Sequence, residues 1–277
     1  MIFALKEASS AFLKNILTCI LHSVSFFLLF FILGVLFALN LFALTSLSFG
    51  LAASFSAGAL SLSIAFLAAP IFLLLLSAAL ACWLLSGALA SLAYSFWQIL
   101  LGKKIFLKDF FPSVIRLGKG MLFSLVFAAL LAFLPPAAII SAVWFFIAKE
   151  GPLLLAAAGI GAAYLVVVAF SLSFLLASIA EGRKGLDAVS TSIQVALTHP
   201  MATLSFVSAG IILVIPALLS AAVPFLASMV VKNNLIVNLL YIAGVAVTLA
   251  YIVLLGLPLL LLVNLSIYRR LGKKQPL

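Results

Sequence analysis

The sequence has very little charge to spread over a surface. Asp, Glu, Lys and Arg make up 7% of its 277 residues, and none of them occurs between Lys14 and Lys103. A soluble globular domain carries about 25% charged residues, so a water-soluble fold is excluded. Acids are the scarcest class. The five are Glu7, Asp109, Glu150, Glu181 and Asp187, and none lies in the middle of an apolar run. Ionisable groups buried at membrane depth are where proton relays are built, so a carboxylate relay is not expected. The two cysteines, Cys19 and Cys82, sit inside apolar runs and read as small buried hydrophobes; a disulfide framework would need more of them in another context. The two histidines, His22 and His199, fall on separate elements, and neither HExxH nor GxxxxGK[ST] occurs. No metal site, cofactor or catalytic constellation is expected.

Apolar residues are abundant instead. They make up 68% of the chain, and the mean hydropathy is +1.47. A helix crosses the hydrocarbon in about 20 apolar residues. Stretches such as LLFFILGVLF and YLVVVAF are continuous rather than alternating, which excludes barrel strands. The runs between charges predict an all-α polytopic membrane protein, one integral membrane domain over 1–277. Its six helices are placed near 16–44, 64–101, 120–148, 152–180, 201–231 and 235–268. The first run is too long for a signal-peptide core and reads as an uncleaved membrane helix. Residues 45–63, rich in Ser, Gly and Ala, read as the external connection, a solvated loop in the simplest case and a re-entrant or interfacial segment otherwise. Pro70, Pro135, Pro136, Pro216, Pro224 and Pro258 are the expected kink or break sites.

The net charge is +10, and the cations occur in clusters between the apolar runs. With the N-terminus cytoplasmic, every Lys and Arg except Lys149 and Lys232 lies inside, so both chain ends are predicted to face the cytoplasm. The partner this pattern implies is the anionic inner leaflet of the cell membrane, not nucleic acid. The interface anchors are Lys103, Lys104, Lys108, Arg116 and Lys119 in the first internal segment, Arg183 and Lys184 in the second, and Arg269, Arg270, Lys273 and Lys274 at the end. Three of these clusters share a tag: Gly102-Lys103-Lys104, Gly182-Arg183-Lys184 and Gly272-Lys273-Lys274. Each closes an outside-to-inside helix. Glycine can adopt the left-handed conformation that stops a helix, and the cations suit its C-terminus.

Aligning the first two tags gives an 80-residue offset that also matches Ser91 with Ser171, Tyr94 with Phe174 and Pro136 with Pro216. This predicts a same-orientation repeat of helix pairs. Three amphipathic segments precede ascending helices: LKEASSAFLKN near the N-terminus, 103–119, and 185–198, where Leu186, Val189, Ile193 and Leu197 fall on one helical face. Small residues at Ser77, Ala81, Ser86, Ala90, Ala157 and Gly161 suit close helix packing. Asn40, Gln98 and Asn264 read as interhelical or snorkelling groups. Tyr94, Trp97, Trp144 and Tyr268 read as an aromatic belt.

The string Glu181-Gly-Arg-Lys-Gly-Leu-Asp187-Ala188, followed by Ser192 and an ascending helix, resembles the membrane domain attached to some glycerophosphodiester phosphodiesterases and related families of prokaryotic six-helix proteins. The LKEASSAFLKN opening is similar to theirs as well. The resemblance implies a family motif of Asp187, Ala188 and Ser192. It implies no catalytic residue, because the phosphodiesterase chemistry belongs to a separate soluble domain. The membrane part it implies is an accessory. A non-enzymatic, lipid-associated accessory or scaffold is therefore the leading expectation, with a membrane-protein partner or a second copy of the chain as the other partner. The alternative is a permease or transport subunit for a small solute or lipid, favoured by the repeat and the proline-containing helices. Were the chain an enzyme, Asp187, Arg183 and His199 at the inner interface would be its candidates.

Overall fold

Long runs of Leu, Phe, Ala and Ile, without a charge to interrupt them, satisfy their backbone groups in lipid only by forming helices. The computed structural model describes residues 2–55, 60–143, 151–230 and 234–272. Among them there is no strand. The helices are α1 (Ile2–Lys14), α2 (Ile16–Phe55), α3 (Leu60–Leu100), α4 (Phe110–Ala142), α5 (Gly151–Ser171), α6 (Leu175–Glu181), α7 (Gly185–Thr198), α8 (Pro200–Val230), α9 (Asn234–Tyr251) and α10 (Leu257–Gly272). A 3-10 turn, Leu107–Asp109, leads into α4, and a π turn, Ile252–Gly256, joins α9 to α10. Six helical segments among the described residues are long and apolar enough to cross a membrane. The chain is an all-α polytopic membrane protein.

Burial is concentrated at one end. Ala88, Ala90, Leu92, Ala93 and Phe96 of α3 are fully buried, and every residue from Leu261 to Tyr268 of α10 is buried. Toward their other ends the helices present large apolar side chains outward, as at Phe72, Leu73 and Leu75. The helix ends that carry the cations meet in the packed half. Arg269 donates to the Leu100 carbonyl at the end of α3, and the Tyr268 hydroxyl donates to Glu181 at the end of α6 (2.7 Å).

The first two tags close in the same way. Gly102 has φ 77° and Gly182 has φ 115°, both left-handed. The Lys103 amide donates to the Gln98 carbonyl (3.0 Å) and Gly102 to Ile99 (3.0 Å). Eighty residues later Arg183 donates to Ser178 (3.1 Å) and Gly182 to Ile179 (3.0 Å). These are matching Schellman closures. The third tag differs: Gly272 is still helical, and Lys273 and Lys274 lie outside the described residues.

Four other expectations change. The 45–63 connection is helical up to Phe55 and again from Leu60. Its Ala and Leu are strong helix formers, and no proline occurs from residue 16 to 69 to stop α2 or the start of α3. The 103–119 segment is not set apart from the third span. Only residues 103–106 and the 3-10 turn precede α4, which starts ten residues before the expected 120. Pro112 falls in the first turn of α4, where a missing N–H costs nothing, and Gly118 and Gly120 serve packing instead of stopping the helix. By contrast, His199-Pro200 separates α7 from α8, because a residue before proline is pushed away from the helical region; His199 has φ −130° and ψ 62°. Third, of the kinks or breaks expected at the prolines, breaks do not occur at five of them: α3 continues through Pro70, α4 through Pro135 and Pro136, and α8 through Pro216 and Pro224. Pro258 lies just after the π turn. Fourth, the fourth span breaks where no proline stands, at residues 172–174 between α5 and α6. Trp144, Lys149, Glu150 and Lys232 lie outside the described residues.

Helices α3 and α4 approach each other closely at two glycines. A Cβ on Gly87 would run into the Val114 carbonyl oxygen and lie 3.0 Å from the Gly118 Cα, while one on Gly118 would lie 2.8 Å from the Trp83 indole nitrogen. Gly161 meets Pro136 in a similar but looser contact, 3.3 Å.

Candidate functional site: the polar base of the bundle

A helix that breaks inside a bundle strands backbone groups, which must find partners. At 172–174 the partners come from two other helices. Ser192 of α7, fully buried, donates through Oγ to the Ser171 carbonyl (3.0 Å) and accepts from the Phe174 amide (3.2 Å). Asn264 of α10 donates from Nδ2 to the Ser173 carbonyl (2.8 Å). Its Oδ1 is buried with no hydrogen-bond partner among the described residues. Ser178 of α6 lies within hydrogen-bonding distance of the Leu175 carbonyl (2.8 Å) and the Ala188 carbonyl of α7 (3.0 Å). The motif residues Ala188 and Ser192 therefore lie on the buried face of α7, with Ala196 one turn further on. Leu186 and Leu197, expected on that face, point outward at 61% and 64% exposure. The small side chains let α7 approach its neighbours closely, and the large ones are left to the lipid side. Asp187 is on the surface of the same helix.

Three acidic side chains at the base, Glu7, Glu181 and Asp187, are held by the chain's own arginines. Glu7 of α1 accepts from Ser266 (2.9 Å) and pairs with Arg270 (2.9 Å) and Arg269 (3.5 Å), fastening α1 to α10. Ala4, Ala8 and Phe12 bury the face of α1 beside it. Arg183 pairs with Glu181 (3.2 Å) and Asp187 (3.4 Å) and donates to Thr191 (2.9 Å). Burial works against its charge, but the hydrogen bond to Glu181 and the carboxylates of Glu181 and Asp187 outweigh that and raise its pKa. Arg183, Arg269 and Arg270 thus clamp elements of the chain to one another. Tyr268, expected in the aromatic belt, is 5% exposed and packs against Phe174 and Trp97, with its hydroxyl on Glu181. Lys184 lies along α4 at Gly120, where a Cβ would meet its Cγ at 3.1 Å.

The remaining cations have no such partners. Lys103, Lys104 and Arg116 have no carboxylate within 4.0 Å among the described residues. Arg116 stands over the Tyr94 ring (5.5 Å) and Lys108 over the Phe106 ring (5.4 Å). Lys119 is exposed. Between the end of α3 and the start of α4 lies an open hollow of about 440 Å³, lined by Lys103, Lys104 and Arg116 with Tyr94, Gln98, Ser113 and Asp109.

Compared with known proteins, the chain matches no family model, no curated protein and no solved structure.

Two histidines complete the base. His22 is fully buried, with its ring edge-on to Phe110 (5.6 Å). Its Nδ1 lies 2.8 Å from the Thr18 carbonyl, which can only accept, so Nδ1 carries the hydrogen and Nε2 is a bare acceptor. His199 lines a smaller cavity of about 220 Å³ together with Glu181, Arg183, Thr191, Gln194 and Tyr268, and its Nε2 is also buried without a partner among the described residues. The three candidates for an enzyme thus come near one another, but Arg183 and Asp187 are bonded to each other and only Arg183 and His199 reach the cavity. No group of three or more His, Cys, Asp or Glu among the described residues could hold a metal ion. Ser192 was marked by the resemblance alone. The role of Glu7 could not be read from the sequence, because its partners lie 259 or more residues away, whereas Asn264, read as an interhelical or snorkelling group, does bond between helices, to a carbonyl 91 residues away.

Proposed function

We propose that the chain is a non-enzymatic, lipid-associated scaffold of the cell membrane, related to the membrane domain of the glycerophosphodiester phosphodiesterases, with its basic base on the anionic inner leaflet. The observation that supports this reading is the division of charge at the base. Glu7, Glu181 and Asp187 are neutralised by arginines of the same chain. That leaves Lys103, Lys104, Lys108, Arg116 and Lys119 on one rim with Asp109 as the acid beside them, an excess of positive charge. Each cation near an anionic leaflet contributes about 1 kcal/mol of attraction. The test is lipid dependence. Purified protein should retain anionic lipids through detergent exchange and lose thermal stability when only zwitterionic lipid is supplied. Equal stability in both would remove the reading.

A second reading, a transport subunit, is favoured by the interrupted span at 172–174 beside the unpaired Asn264 Oδ1, since transporters build sites from discontinuous helices. It requires solute flux in proteoliposomes that is lost in Asn264→Leu. The scaffold reading requires no flux.

A further inference from the structure

We infer that the hollow between α3 and α4 is a discrete binding site for one anionic phospholipid, which takes the phosphodiester on Lys103, Lys104 and Arg116 and the hydroxyls of its headgroup on Asp109 and Gln98. The inference rests on the lipid-associated reading and sharpens it from a diffuse positive rim to a single site. Three features single out this hollow. Its cations are free of carboxylates, whereas those around Arg183 and Arg269 are not. The Schellman closure at Gly102 fixes the direction in which Lys103 and Lys104 leave α3, and the stacking on Tyr94 fixes Arg116. Asp109 faces the same volume of about 440 Å³ without pairing to any of the three. Three cations and one acid leave a net charge of +2, which favours a net anionic headgroup over a zwitterion. An unpaired carboxylate among them is a hydrogen-bond acceptor, which suits a hydroxylated headgroup such as glycerol and disfavours a bare phosphomonoester of higher charge.

The equivalent position in the second tag is already filled. There Arg183 turns onto Glu181, Asp187 and Thr191. One lipid per chain is therefore expected, not two.

The test uses the full chain in phosphatidylcholine nanodiscs doped with phosphatidylglycerol, read by native mass spectrometry. The wild type should retain one phosphatidylglycerol in preference to phosphatidylcholine or phosphatidylethanolamine. Lys103→Gln with Lys104→Gln should weaken retention about tenfold, as should Arg116→Gln. Lys6→Gln with Lys14→Gln, two exposed cations of α1 that do not line the hollow, removes the same charge and should leave retention unchanged. The lysine pair keeps the Arg116–Tyr94 contact, so a folded variant remains if Arg116→Gln is unstable. Equal loss in both lysine pairs would overturn the discrete site while sparing lipid association. No preference in the wild type would overturn both. Saturable micromolar binding of soluble glycerol phosphate to detergent-solubilised protein, without lipid preference, would reassign the hollow to a soluble phosphate ester and overturn the lipid.

Discussion

Ser192 caps a break in a helix it does not belong to: its Oγ donates to the Ser171 carbonyl at 3.0 Å while accepting from the Phe174 amide at 3.2 Å. One hydroxyl thus satisfies groups on both sides of the interruption. Ser192→Ala should leave a buried amide and carbonyl unpaired and cost about 1–3 kcal/mol. Thermal unfolding in detergent checks this. A variant as stable as the wild type would show that the break is closed by other means.

Asn264 holds the Ser173 carbonyl on the opposite side of the same break. Asn264→Leu should cost about 1 kcal/mol, the usual range for a polar contact within a membrane bundle. If Ser192 and Asn264 support one element, the loss in the double variant should depart from the sum of the single losses. Strict additivity would contradict the coupling.

Glu7 is the contact that fastens α1 to α10. Its pairs with Arg269 and Arg270 are partly exposed, so Glu7→Gln should cost only about 1 kcal/mol. The effect should be local: amide exchange over residues 2–14 should accelerate about fivefold while that of α3 stays unchanged. Uniform acceleration would mean that α1 is not a separable element.

Gly87 and Gly34 offer a paired test. Gly87→Val should destabilise by about 2 kcal/mol or more, because the added atoms meet the α4 backbone. Gly34→Ala, with nothing within 4 Å of the new Cβ, should stay within about 0.5 kcal/mol of the wild type. Comparable effects at the two positions would argue against the α3–α4 approach.

The spans were legible because hydropathy and charge act over twenty residues at a time. The closures at Gly102 and Gly182 were legible because a glycine followed by cations satisfies two local requirements at once. The break at 172–174 was not. Its sequence, Leu-Ser-Phe, holds no proline or glycine, and the groups that make it tolerable come from Ser192 and Asn264, distant in the chain. Residues 45–55 misled for the opposite reason. Ser, Gly and Ala read as loop composition in water, yet in a bilayer a serine can bond back to its own helix, as Ser77 does to Leu74 (2.9 Å). The positive rim was legible as composition, but its division into the clamped Arg183, Arg269 and Arg270 and the free Lys103, Lys104 and Arg116 needed the tertiary positions of Glu7 and Glu181.

The proposed function requires that the tagged helix ends form one base on the inner side of the membrane. Labelling by an impermeant maleimide tests it most directly, using Lys104→Cys and Gln194→Cys in a Cys19→Ala, Cys82→Ala background. Both positions should resist the reagent in intact cells and react after permeabilisation. Labelling of either one from outside, or of the two from opposite sides, would contradict it.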